Sequence, residues 1–176
     1  MALKPQDVMV LLKLVAISRK DWSFNELAVE LGMSPSEVHA VSKRALAAKL
    51  AVKRDGKLAP NVRNLEEFLI HGVRYAFYPE WGAMVRGMPT LYGASPISEK
   101  LVPSAEPLPV WPDPEGEALG SSFLPLYKSA PKAARRDPSL YELLVIVDAI
   151  RGGNAREHKI GIDELRRRLA DYEKSQ

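Results

Sequence analysis

Between Lys43 and Lys57 the sequence places six basic side chains, Lys43, Arg44, Lys49, Lys53, Arg54 and Lys57, against one acid, Asp55. Cations at that density suit phosphate oxygens, supplying affinity and register while carrying little base information. Just upstream, Ser34, Ser36 and His39 offer hydroxyl and imidazole groups that can hydrogen-bond phosphates or base edges. Other chemistries find less material. The chain has no cysteine, which excludes disulfides, Cys-ligated zinc, iron–sulfur clusters and thiol catalysis. His71 stands four residues after Glu67 and could share a helical face with it, but such a pair lacks the third ligand of a catalytic zinc site. His158 falls in a polar stretch, 152–159, expected to be an exposed connector. Gly152, Gly153 and Asn154 follow a helical pattern and lack the Gly-Lys-Ser/Thr of a phosphate loop. Asp113, Glu115 and Glu117 read as a solvated acidic loop without partners. No nucleophile is spaced with a base, so neither catalysis, a metal nor a cofactor is expected.

The secondary structure around the basic cluster is marked by its caps. A first helix is expected from Pro5 to about Arg19, apolar on most of its circumference and so in need of cover on more than one side. Ser23 with Glu26 and Ser34 with Glu37 form two capping boxes, and Gly32 stops the helix between them. Two capped helices so close together make a helix-turn-helix. Asp55-Gly56 then marks a two-residue hairpin turn needing positive φ at both positions, with Val52, Lys53 and Arg54 before it and Lys57 and Leu58 after. A further helix is expected from Val62 to about Tyr75, capped by Asn61.

The run Leu27, Ala28, Val29, Glu30, Leu31, Gly32, Met33, Ser34, Pro35, Ser36, Glu37, Val38, with Lys43 and Arg44 beyond it, resembles the helix-turn-helix signature of bacterial MarR-type regulators. The likeness covers about the first 75 residues and implies a winged helix-turn-helix that binds double-stranded DNA. It differs at two places. The glycine that usually ends the family's recognition helix is Lys49 here, and positions that often offer small polar or arginine side chains to bases hold His39 and Ala40. On this basis the expected DNA-contacting set is Ser34, Ser36, His39, Lys43, Arg44, Lys53, Arg54 and Lys57. RNA is less favoured because no aromatic stacking platform accompanies the basic cluster in the sequence.

Charge and proline divide the remainder. Residues 1–75 carry 12 basic and 8 acidic side chains, residues 76–138 carry 6 and 7, and residues 139–176 carry 7 and 7. Eleven of the 14 prolines lie between Pro79 and Pro138, and eight of the 13 aromatics lie between Tyr75 and Tyr127, so this segment is too aromatic for a plain linker. The expectation is a mainly α protein in three parts. Residues 1–75 would be the winged helix-turn-helix DNA-binding domain, 76–138 a proline- and aromatic-rich, mostly irregular extended segment wrapped over the helices, and 139–176 a C-terminal helical pair. That pair would run from Pro138 to about Arg151 and from Asp163 to about Glu173, its apolar faces packing on the first helix or on a second chain.

The longest apolar run, Val8–Ile17, is too short to span a bilayer, and Ser18, Arg19, Lys20 and Asp21 follow it in place of a signal-peptide cleavage site. A cytoplasmic protein without a membrane partner is expected. The leading functional expectation is a sequence-specific transcriptional regulator, a homodimeric repressor acting by operator occupancy. The alternative is an antitoxin-like or regulatory partner in a two-gene system, binding another protein through its middle segment. A third possibility is a ligand pocket lined by Trp81, Tyr92 and Trp111.

Overall fold

The computed structural model describes residues 1–18 and 21–176. The first helix, α1 (Pro5–Ile17), begins at its proline, and its expected end at Arg19 lies outside the described residues. Helices α2 (Phe24–Leu31) and α3 (Pro35–Ala47) start on the two serine–glutamate boxes: the Glu26 and Glu37 amides donate to Ser23 and Ser34 Oγ at 3.1 and 3.2 Å. Strands β1 (Ala51–Arg54) and β2 (Lys57–Pro60) follow, with Asp55 at φ 52° and Gly56 at φ 78° making the turn between them. The helix expected from Val62 to Tyr75 is broken at Gly72 into α4 (Val62–His71) and α5 (Val73–Ala76).

The proline-rich middle is not mostly irregular. Strand β3 (Trp81–Pro89) pairs antiparallel with both β4 (Pro109–Pro112) and β5 (Ala118–Phe123), while β4 and β5 pair parallel, closing three strands on themselves. Two short 3-10 turns, Leu91–Gly93 and Ser98–Lys100, lie in the long β3–β4 connection. Prolines sit at the ends of β3 and β4, where a missing N–H costs the ladder least. So tight a closure leaves little room between backbones: a Cβ on Gly87 would stand 2.0 Å from the Trp111 carbonyl oxygen. Composition that signals irregular chain here serves a sharply bent sheet. The chain is 55% helix and 16% strand, which makes it mixed α/β where a mainly α protein was expected.

Helices α6 (Ala130–Arg136), α7 (Pro138–Gly152) and α8 (Ala155–Lys174) complete the chain. The last begins eight residues before the expected Asp163. Asn154 and Glu157 form a third capping box, and Asp163 instead pairs with Lys159 at 3.0 Å within the helix. Gly161 lies where α8 crosses α7: a Cβ there would stand 3.0 Å from Ile150 Cγ1. His158 therefore lies in a helix, its Nδ1 2.8 Å from the Ile150 carbonyl oxygen, and not in an exposed connector.

A single core runs through all three segments. Val8–Leu12 of α1 are fully buried between α3, β2 and α7. The apolar faces of α1 and α7 that called for cover thus find it within one chain. Burial on this scale, at about 25 cal/mol per Å² of apolar surface, is the main favourable contribution to folding. Three polar groupings cross the core. Asp7 and Arg44 join α1 to α3, Lys13 reaches Asp137 at 2.7 Å and Glu30 at 2.6 Å, and Asp148 on α7 is held by Thr90, Trp111 and Arg151 at 2.5, 2.8 and 2.9 Å. Arg151 continues to the carbonyls of Phe77 and Leu124 at 3.0 and 2.6 Å, so the small sheet is pinned to α7. Among the described residues no helix is long and apolar enough to cross a membrane.

Candidate nucleic-acid interface

Helix α3 turns Val38, Val41 and Ala45 into the core, which leaves Ser36, His39 and Lys43 exposed on its opposite side. The turn before it is clamped from the far end of the chain. Ser129 Oγ donates to the Leu31 carbonyl at 2.6 Å, the Arg136 guanidinium donates to the Val29 carbonyl, and Tyr127 OH donates to Glu37 at 3.1 Å. Glu37 is held below its ordinary pKa, chiefly by the Ser34 backbone N–H, with the Tyr127 hydroxyl and nearby Lys128 adding to the effect. Segment 127–136, far along the sequence, thus fixes how α2 presents α3.

The eight expected residues divide into three groups. Lys43, Lys53 and Lys57, with His39, line one groove of about 500 Å³ between α3 and the hairpin. Ser36 is exposed at the first turn of α3, within 3.0 Å of Ser34 Oγ, but does not line that groove. Ser34 itself is engaged as the cap of α3, and its oxygen accepts the Glu37 amide. Arg44 and Arg54 are not brought to the groove. Arg44 Nη2 donates to Asp7 Oδ1 at 2.7 Å and its Nε contacts both carboxylate oxygens at 2.9 Å, with the side chain only 11% exposed. Hydrogen bonding to the fully buried Asp7 pushes the Arg44 guanidinium above its ordinary pKa. Its place one residue after Lys43 turns it about 100° around the helix, toward α1. Arg54 sits one residue after Lys53 on β1, where successive side chains point to opposite faces. It lines a different hollow, with Tyr172, Glu173 and Gln176 from the end of α8.

The groove also holds residues that the sequence did not bring to notice. Trp22 and Phe24 flank the cap of α2. Their rings meet edge-on with centroids 5.5 Å apart, and Phe24 stacks on His39 at 4.2 Å. Lys57 Nζ lies over the Trp22 ring, 5.9 Å from its centroid. The aromatic rings beside the basic cluster thus come chiefly from Trp22 and Phe24, 19 or more positions before Lys43. No carboxylate lines the groove among the described residues; the nearest acid on a lining cation is exposed Asp21, 3.5 Å from Lys57. Lys49 takes the left-handed conformation, φ 60°, at the end of α3, where a glycine would be unstrained.

The other candidates separate. Trp111 is buried and donates to Asp148, Trp81 is half-exposed against Phe123, and Tyr92 borders an open cavity of about 530 Å³ with Ser98, Leu101 and Arg156. These three aromatics therefore do not line one pocket. The acidic loop has partners: Arg135 pairs with nearly buried Asp113 and lies 3.4 Å from Glu115. No group of three or more metal-ligating side chains occurs among the described residues. Comparison with protein-family models, curated proteins and solved structures finds no match to this chain.

Proposed function

We propose that the chain is a double-stranded DNA-binding regulator that sets α3 against a major groove and the β1–β2 hairpin against the flanking backbone. The observation that carries this reading is the groove in which Lys43, Lys53 and Lys57 converge without a lining carboxylate. A helix presenting Ser36, His39 and Lys43 is slim enough for a groove about 12 Å wide. The order of two helices, a sharp turn and a basic hairpin supports the winged-helix assignment and the likeness to MarR-type regulators. Repression by operator occupancy belongs to the same reading. A dimer would have to form elsewhere than on the inner faces of α1 and α7, which are filled within the chain. No chemistry is performed.

The test is binding to duplex DNA, including the region upstream of its own gene, across a salt series. Removing one phosphate-neutralising cation lowers the slope of log K against log salt by about 0.9, so K43A/K53A/K57A should flatten it by about 2.7. A preference for the upstream region supports regulation. No salt-dependent binding at all rejects the reading.

A second reading, a partner-binding protein, is favoured by a different observation. Tyr75, Tyr78, Trp81, Met84 and Leu119 are 76, 66, 49, 53 and 69% exposed around the small sheet. Co-purification with a neighbouring gene's product, abolished on substituting Trp81 and Leu119 by polar residues, would support it.

A further inference from the structure

We infer that the groove between α3 and the hairpin is a seat for an unpaired nucleotide, so that the protein prefers DNA carrying a single-stranded overhang over blunt duplex. The inference rests on the DNA-binding reading and deepens it. Duplex recognition by lysines and a small-residue helix face needs no aromatic rings, because paired bases hide their faces in the stack. Three rings nevertheless border this groove: Phe24 meets Trp22 edge-on at a centroid distance of 5.5 Å and stacks on His39 at 4.2 Å. Trp22 and Phe24 are half-buried, packed against the core, which holds them in place while they still line the groove. Lys43, Lys53 and Lys57 border the same space, and Lys57 Nζ stands 5.9 Å from the Trp22 centroid. A nucleotide carries its phosphate a few ångströms from its base, so a ring and a cation at this separation can meet both. Aromatic faces beside a cationic track are what single strands bind, because every base has a π-face to stack. The volume of about 500 Å³ falls in the range of small-ligand sites and suits one nucleotide better than a strand bundle or a peptide helix.

The experiment uses the full chain and three fluorescently labelled probes: a blunt duplex, the same duplex with an oligothymidine overhang, and the free oligothymidine. The overhang should tighten binding by roughly 5- to 100-fold over the blunt duplex, the value of one stacked base. Tryptophan emission should be quenched by the overhang, and the quench should vanish in W22F, whose ring keeps the affinity gain. W22L should lose the gain while retaining blunt-duplex affinity. F24L, which removes the ring stacked on His39 and lies outside the duplex-contacting set, carries the same test should W22L fail to fold. Equal affinity for blunt and overhanging duplex overturns the inference but leaves duplex binding intact. So does a gain that survives both W22L and F24L. Competition by thymidine monophosphate as strong as that by the strand also overturns it, since the ligand would then be a free nucleotide. Failure of all three probes to bind removes the DNA-binding reading itself.

Discussion

Replacing Arg44 by methionine separates a structural cation from a functional one. In the folded chain Arg44 meets Asp7 through both Nε and Nη2, at 2.7 to 2.9 Å, with Asp7 at 0% and the Arg44 side chain at 11% exposure. Removing one partner of a buried pair leaves the other uncompensated, at a cost of about 3–5 kcal/mol. Asp7 retains one donor, the Lys4 backbone N–H at 2.8 Å, which favours the lower end, about 3 kcal/mol. For a chain of this length that corresponds to a fall in Tm of about 6–12 °C. D7L/R44M should recover most of the loss, since matched apolar replacement of a buried pair is often neutral or better. It would still lack the Asp7 cap on the Lys4 amide, a deficit of about 1 kcal/mol. Urea denaturation of the wild type, R44M and D7L/R44M gives the three stabilities, and a DNA salt series on R44M gives the slope. R44M that keeps its stability within about 1 kcal/mol and flattens the slope by about 0.9 would refute this account and return Arg44 to the phosphate-contacting set.

Lys49→Gly should stabilise the chain by up to about 1 kcal/mol in urea melts, because Lys49 holds φ 60° at the end of α3. Unchanged or lowered stability would mean that the lysine side chain compensates the strain. Acid stability should show Asp137. Burial alone would raise its pKa, but the Lys13 ammonium and the Leu140 and Ser139 amides more than offset this and hold it below the ordinary 3.8. Its folded pKa being depressed, the unfolded chain takes up the proton first, so its contribution is present above about pH 4 and is lost as pH falls through the folded value. D137N should therefore be less stable than wild type near neutral pH, with the gap closing as acid protonates Asp137 in the folded chain; a gap independent of pH would count against the pairing. Limited proteolysis should spare strands β3 and β5 and cut first near Val102, which is 80% exposed in the β3–β4 connection. Rapid cleavage throughout residues 80–130 would contradict the closed three-stranded sheet.

The helix ends of the first segment were legible because capping is local: Ser23 with Glu26, Gly32, and Ser34 with Glu37 act within one turn, as does Asp55-Gly56 in the hairpin. The same rule was available at Asn154 and Glu157, but Gly152, Gly153 and the polar run to Lys159 read as a connector, since neighbouring glycines and polar side chains suit a loop as well as a capped helix start. Likewise the prolines and glycines of 76–138 carry the composition of irregular chain, while their function in the folded protein is to let three strands close tightly.

Short-range chemistry, written in neighbouring residues, set where the first helices and the hairpin begin and end, and showed that a surplus of cations accompanies them. Which of those cations are free was settled only by the packing of the whole chain. Lys43 and Arg44 are adjacent, yet one lines the groove and the other is bound to Asp7, 37 positions earlier. The same packing stands Trp22 and Phe24 beside His39, Lys53 and Lys57. Partnership across such separations depends on how helices pack, and packing is a property of the whole core rather than of any window of the chain.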